Sequence, residues 1–275
     1  MNETNPQIPP SPQDIPSILT VVADGESRAI AFRRRPTEAI TRPGVVWLGG
    51  FKSDMKSPKA ERLEAWAAAE GRGSLRFDYS GHGESGGRFE DGTIGHWLAE
   101  SLAMIRTQTE GPQILVGSSM GGWIALLVAR ELEKAGESNR LAGLALIAPA
   151  VDFTEALLWS HLPPDARSDI ETKGLWLRYS QYAPEPYPIT RALIEDGRRH
   201  LLLGGTIRTH CPVHILQGMQ DPDVPWRHAM TLVEHLAGDP VALTLIKDGD
   251  HRLSRPQDLA ILAATVATLR GQDGG

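Results

Sequence analysis

The sequence predicts an α/β fold, a mostly parallel sheet flanked by helices and carrying a small insertion. Three observations predict it. Short β-branched or apolar runs alternate with longer segments of helical period, and the alternation breaks once, at about residues 150–189. The chain has 275 residues, 41% hydrophobic and 23% charged, enough for a sizeable core in one domain with an insertion. Residues 1–17 read as a disordered Pro-rich arm and residues 18–275 as the domain.

The elements follow in order. Apolar or β-branched runs at residues 19–22, 29–33 and 45–48 read as strands, the last ending in Gly49-Gly50. Ser57 stands as an N-cap with Pro58 at the first helical position, and Leu63 and Trp66 mark the buried face of a helix through Ala69. A strand at 74–77 leads into Asp78-Tyr79-Ser80 and a glycine-rich loop, and Ile94, Trp97, Leu98, Leu102 and Ile105 then recur at helical spacing. Strands at 113–116 and 141–147 enclose a helix through residues 123–132. Pro163, Pro164, Pro184, Pro186 and Pro188 break the pattern, and a helix over 190–203 restores it. A strand at 213–216, a helix carrying Trp226, Met230, Val233 and Leu236, a strand at 241–246 and a helix carrying Leu259, Leu262, Val266 and Leu269 close the chain.

Several function classes are disfavoured. A net charge of −6 provides no basic excess to neutralise phosphates, which argues against a nucleic-acid partner. The first 20 residues hold no Lys or Arg and no apolar core of a signal peptide, and the apolar stretch at 141–151 is too short to span a bilayer. The single cysteine, Cys211, excludes an intrachain disulfide and suits a reducing compartment. The expectation is a cytoplasmic protein without stable membrane insertion.

Gly117-Ser118-Ser119-Met120-Gly121 matches G-x-S-x-G, in which a serine on a strained strand-to-helix turn exposes its hydroxyl. Gly83-Glu84-Ser85-Gly86-Gly87 also matches, so the pattern alone decides little. Context separates the two. Ser119 lies between a strand and an apolar helix, whereas Ser85 sits among turn residues. Ser119 is the candidate nucleophile, and Ser85 and Ser118 read as turn residues.

A serine hydroxyl needs a base. Of the nine histidines, His251 alone follows the final strand, in Asp248-Gly249-Asp250-His251, where the order serine, acid, histidine places it. The acid belongs after the preceding strand, where Asp221 comes first. Asp223 reads as a cap for the helix near Pro225, and Asp152 as a less favoured substitute. Backbone N–H groups of Met120 and Phe51 are placed to form an oxyanion hole.

Two other patterns are decoys. Gly81-His82-Gly83-Glu84-Ser85-Gly86 fits the dinucleotide fingerprint, but its last glycine opens no helix. His210-Cys211-Pro212-Val213-His214 lacks a complete metal-ligand set. No metal or organic cofactor is implied. The insertion concentrates Phe153, Trp159, Trp176, Tyr179, Tyr182 and Tyr187, six of the chain's 16 aromatics, and has two readings: a local minor core, or an apolar wall for an acyl group with Trp159, Trp176 and Tyr179 as substrate-binding residues.

Arg76-Phe77-Asp78-Tyr79-Ser80-Gly81, the run from Gly111 through Ser119 to Trp123, Cys211-Pro212-Val213, the run from Gly218 through Asp221 to Trp226, and Asp250-His251-Arg252 together resemble the α/β-hydrolase superfamily. Within it, the match is to acyl-protein thioesterases and acyl-glucuronide esterases and their bacterial relatives. The resemblance implies an α/β-hydrolase fold with a cap insertion, and Ser119 as nucleophile, Asp221 as acid and His251 as base. Two departures stand out: the acidic arm differs from a mitochondrial targeting sequence, and Gly49-Gly50-Phe51 replaces the common His-Gly. The expected activity is hydrolysis of a carboxylic ester or thioester, on a small molecule or an acyl-protein, through an acyl-serine intermediate. Non-ester chemistry on the same fold, such as C–C hydrolysis or cofactor-free peroxidation, and a ligand-binding module with residual hydrolysis are the alternatives.

Overall fold

The computed structural model describes residues 15–23, 25–37, 42–180, 183–236 and 238–269. In chain order its strands are β1 (Ser17–Ala23), β2 (Glu26–Arg35), β3 (Gly44–Leu48), β4 (Ser74–Phe77), β5 (Gln113–Ser118), β6 (Leu141–Ile147), β7 (Leu175–Ser180), β8 (Ala183–Thr190), β9 (Val213–Gly218) and β10 (Val241–Ile246). Its helices are α1 (Pro58–Ala69), α2 (Ile94–Gln108), α3 (Met120–Lys134), α4 (Pro164–Lys173), α5 (Arg191–Arg198), α6 (Trp226–His235) and α7 (Pro256–Thr268). The segments read as strands at 74–77, 141–147 and 241–246 coincide with β4, β6 and β10. The arm expected over residues 1–17 lies outside the described residues up to residue 14, and Ser17 already opens β1.

Eight strands form one sheet in the order β1-β2-β4-β3-β5-β6-β9-β10. β1, β2 and β4 pair antiparallel, and β4, β3, β5, β6, β9 and β10 run parallel. β3, β5 and β6 are buried along their whole length, which is why they read as continuous apolar runs: a parallel sheet is covered on both faces. Helices α2, α3 and α6 cover one face through Trp97, Met104, Ile105, Trp123, Ala229 and Leu232. Helices α1 and α7 cover the other through Leu63, Leu262 and Val266, which pack on Val45, Ile114 and Ala145. Trp97 and Trp123 are fully buried, so truncating either to alanine would cost about 3–5 kcal/mol.

Local expectations differ from the structure in several places, three of them in the elements themselves. Ser57 occupies the N-cap of α1 with extended backbone and Pro58 follows as read, but the serine hydroxyl makes no cap bond. The helix expected through residue 203 ends at Arg198, because the Asp152 carboxylate takes the Leu202 and Leu203 N–H groups at 2.9 Å and holds them out of helical pairing. The insertion holds a hairpin that the sequence did not announce, β7 against β8, with Trp176 opposite Ile189 and Arg178 opposite Tyr187.

Between β6 and the hairpin, the chain makes a π-helical turn at Thr154–Leu158, a 3-10 turn at Trp159–His161 and helix α4. These pieces share a small apolar cluster of Leu158, Leu162, Ala166, Ile170, Ile189 and Ile194, set over the C-terminal ends of the parallel strands. Those ends are where open α/β sheets present their sites.

Candidate active site

Ser119 is the single residue between β5 and α3, with φ 54° and ψ −117°. A serine at positive φ is strained, and the surrounding bonds hold it there: its N–H donates to the Ile147 carbonyl at 2.8 Å, and its carbonyl accepts from Gly122 at 2.9 Å and Ala150 at 3.1 Å. The flanking glycines follow from close approach. A Cβ on Gly117 would lie 2.3 Å from the Gly121 carbonyl oxygen, and one on Gly121 would lie 2.1 Å from that of Leu48. The turn therefore packs closely against the end of β3, and Ser119 lines the cavity there.

Residues far apart in sequence meet there. Ser119 Oγ lies 3.1 Å from His251 Nε2, and His251 Nδ1 lies 2.7 Å from Asp221 Oδ2. A carboxylate only accepts, so Nδ1 carries the proton and Nε2 presents a lone pair to the serine hydroxyl. The Asp221 side chain is fully buried. Its Oδ1 accepts from the Asp223 and Val224 N–H groups at 2.8 and 2.9 Å, and Gln217 Nε2 donates to Oδ2 at 3.2 Å. The loop after β9 thus folds around the acid and fixes the oxygen that faces His251.

The His251 loop has its own anchor. Lys59 in the first turn of α1 is buried, and its Nζ donates to the Arg252 carbonyl and, at 3.3 Å, to Ser254 Oγ. Burial lowers the Lys59 pKa to about 8, against the nearby Asp250 carboxylate, which favours the charged form. Sequence reading missed this lysine, because no local pattern marks a surface-type residue that ends under a loop 193 positions away.

A cavity of about 640 Å³ opens over Ser119 and His251, within the size range of ligand sites. Phe51, Phe153, Leu157, Leu158, Tyr187 and Ile189 give it an apolar wall, and Lys52, Arg178 and Arg252 stand among its charged lining. The 49–51 loop passes close beside the serine: a Cβ on Gly50 would lie 3.4 Å from Ser119 Cβ. Phe51 and Met120, whose amides were singled out in the sequence, both line this cavity, and among the described residues neither amide donates to a protein acceptor.

The insertion's aromatics divide between the two readings. Trp159 and Trp176 are not in the cavity wall. They pack on the small cluster of the insertion, and Arg167 and Arg198 stack on the Trp159 ring at 5.6 and 4.9 Å. Tyr179 is 79% exposed, on the outward face of β7 beside Leu175 and Leu177. The assignment of Trp159, Trp176 and Tyr179 to substrate binding is therefore corrected: strand alternation and local core formation turn them elsewhere, and Phe153 and Tyr187 stand in the wall with Phe51. Tyr182 lies outside the described residues.

Other sequence candidates find structural places. Asp223 does not cap α6, whose N-cap is Pro225. It lies 3.8 Å from Arg178 of β7. Asp152 is occupied with Leu202 and Leu203. Ser85 Oγ accepts from Ala31 N–H and donates to the Asp78 carbonyl, as a turn residue does. His210 bonds Glu133, and His214 bonds Thr244 of β10. Donor atoms of Asp221, Asp223 and His251 lie within 4.8 Å of one another, but the Asp221 oxygens already hold His251 and two amides, an arrangement that suits an oriented imidazole better than a cation. Among the described residues, no helix is long and apolar enough to cross a membrane.

The family model described as "Alpha/beta hydrolase family" matches residues 24–262. The chain belongs to the alpha/beta hydrolase family. Among hydrolases of this family, the mitochondrial palmitoyl-protein thioesterase ABHD10 of Bos taurus is 35% identical over 228 residues, covering 82% of this chain and 72% of the relative. A putative hydrolase from Agrobacterium vitis S4 superposes with a TM-score of 0.89 at 49% identity, over 93% of this chain and 98% of that one. The alpha/beta hydrolase domain-containing protein 10 from mouse gives 0.80 at 31% identity, over 92% and 98%.

Proposed function

We propose that this alpha/beta hydrolase cleaves carboxylic ester or thioester bonds through an acyl-serine intermediate on Ser119. The observation that carries the proposal is the continuous relay from Asp221 through His251 to Ser119, with 2.7 and 3.1 Å between successive atoms, ending in the cavity. His251 Nε2 takes the hydroxyl proton as Ser119 Oγ attacks the acyl carbonyl, and Asp221 stabilises the imidazolium that forms. The Phe51 and Met120 N–H groups receive the developing oxyanion. The imidazolium then protonates the leaving alkoxide or thiolate, and the same base activates water to release the acid and free Ser119.

The apolar wall supports an acyl chain as the group held during these steps, and the thioesterase name carried by the relatives supports a long-chain thioester, including one on a protein, within the same mechanism. Stopped-flow hydrolysis of p-nitrophenyl octanoate and of an octanoyl thioester tests the reading. The expected result is a burst of p-nitrophenol equal to the enzyme concentration, with turnover of both substrates lost in Ser119→Ala. Turnover retained in Ser119→Ala would refute it.

A further inference from the structure

The glycine-rich loop that imitates a dinucleotide fingerprint places His82 against the loop beside Ser119. Residues 50–53 form a four-residue turn closed by the Ser53 N–H to the Gly50 carbonyl at 3.1 Å. Its third residue, Lys52, has φ 61°, the left-handed conformation that such turns reserve for Gly or Asn. The Lys52 N–H ends on His82 Nε2 at 3.2 Å. The other ring nitrogen, Nδ1, lies 3.1 Å from the Ser80 carbonyl, which only accepts. Both contacts are satisfied only by a neutral ring with its proton on Nδ1. The ring is 4% exposed and enclosed by Tyr79, Phe89 and Trp97 at centroid distances of 5.7, 5.1 and 5.2 Å, and burial lowers its pKa to about 4.

We propose that His82 is a positioning residue for the oxyanion hole: by accepting the Lys52 N–H it holds the strained turn that directs the Phe51 N–H towards the space above Ser119. The inference rests on the ester or thioester hydrolase reading of the site. The same glycine-rich loop grips the far end of this segment through Asp78, whose carboxylate accepts from Met55 N–H at 2.6 Å and Glu84 N–H at 2.8 Å. That second clasp lies away from Phe51, so it can hold the fold when the His82 contact is removed.

The test compares His82→Phe, which keeps a ring but has no acceptor, with His82→Gln, whose Oε1 can take the place of Nε2. Each is made in the native chain and in a Lys52→Gly background. Measurements are kcat and KM for p-nitrophenyl octanoate, affinity for octylboronic acid as a tetrahedral adduct of Ser119, and Tm. The expected result is a kcat loss of about 10–100-fold in His82→Phe with KM within about threefold, since an oxyanion donor acts in the transition state. Boronate affinity should fall in parallel, and His82→Gln should recover most of the loss. In the Lys52→Gly background, where glycine adopts the turn unaided, the penalty for His82→Phe should shrink to less than about fivefold.

A folded His82→Phe with native kcat, or an equal penalty in both backgrounds, overturns the proposal. Where His82→Phe fails to fold, His82→Asn, whose shorter amide stops short of Lys52, replaces it in the same comparison. Ser119→Ala separates the two levels: activity in that variant fails the site reading itself, whereas an inactive Ser119→Ala beside a fully active His82→Phe fails only the role of His82.

Discussion

Arg178 of β7 lies 3.8 Å from Asp223, two residues beyond the Asp221 that holds His251. The hairpin of the insertion is thereby linked to the loop that carries the acid, while the two aspartates have separate tasks. Asp221→Asn is expected to lower kcat by about 10⁴-fold, because the carboxylate that stabilises the imidazolium is gone. Asp223→Asn removes a half-exposed ion pair, a weak contact in water, and is expected to raise KM by less than about tenfold with kcat little changed. Steady-state kinetics of the two variants check this, and a larger kcat loss at Asp223 would reverse the assignment.

The apolar wall predicts a preference for longer acyl groups. Each methylene buried in the transition state contributes up to about 0.8 kcal/mol, so kcat/KM should rise along a p-nitrophenyl series from acetyl to octanoyl until the cavity is filled. Leu157→Trp, which places bulk in the wall, should reduce the octanoyl-to-acetyl ratio at least about tenfold. Trp176→Ala should leave that ratio unchanged while lowering Tm, because Trp176 belongs to the local cluster of the insertion. A flat series would leave a short-acyl esterase.

Lys59 predicts a pH-dependent stability. Its pKa is about 8 in the folded chain against 10.5 when unfolded, so between these values the unfolded chain holds more protons and stability rises with pH. This contribution is fully present above pH 10.5 and is lost as the pH falls through about 8. The stability of the native protein relative to Lys59→Met should therefore increase by about 2–3 kcal/mol from pH 7 to pH 10, measured by urea unfolding at each pH. A difference independent of pH would contradict the buried state of this lysine.

The sheet was legible because its central strands β3, β5 and β6 are buried on both faces and read as unbroken apolar runs, and because Ser119, Asp221 and His251 follow β5, β9 and β10 in order. The hairpin was not legible, since Pro186 and Pro188 argue against a strand. They are tolerated in β8 because they share one parity in a two-stranded ribbon, where every second N–H faces away from the partner. The contents of the cavity wall were illegible for a similar reason: aromatic enrichment marks the insertion but does not distinguish Trp176, turned into a local cluster, from Tyr187, turned towards Phe51 at 5.6 Å. His82 and Lys59 escaped notice because their partners lie across loops, where no periodicity connects them.

The most direct test of the account is covalent labelling with a fluorophosphonate followed by peptide mapping, since only a serine activated by its base is phosphonylated rapidly. The account predicts one equivalent of label on Ser119, with rapid labelling abolished in His251→Ala and unaffected in Ser85→Ala. Label on Ser118 or Ser85, or a rate at Ser119 unchanged by His251→Ala, would contradict it.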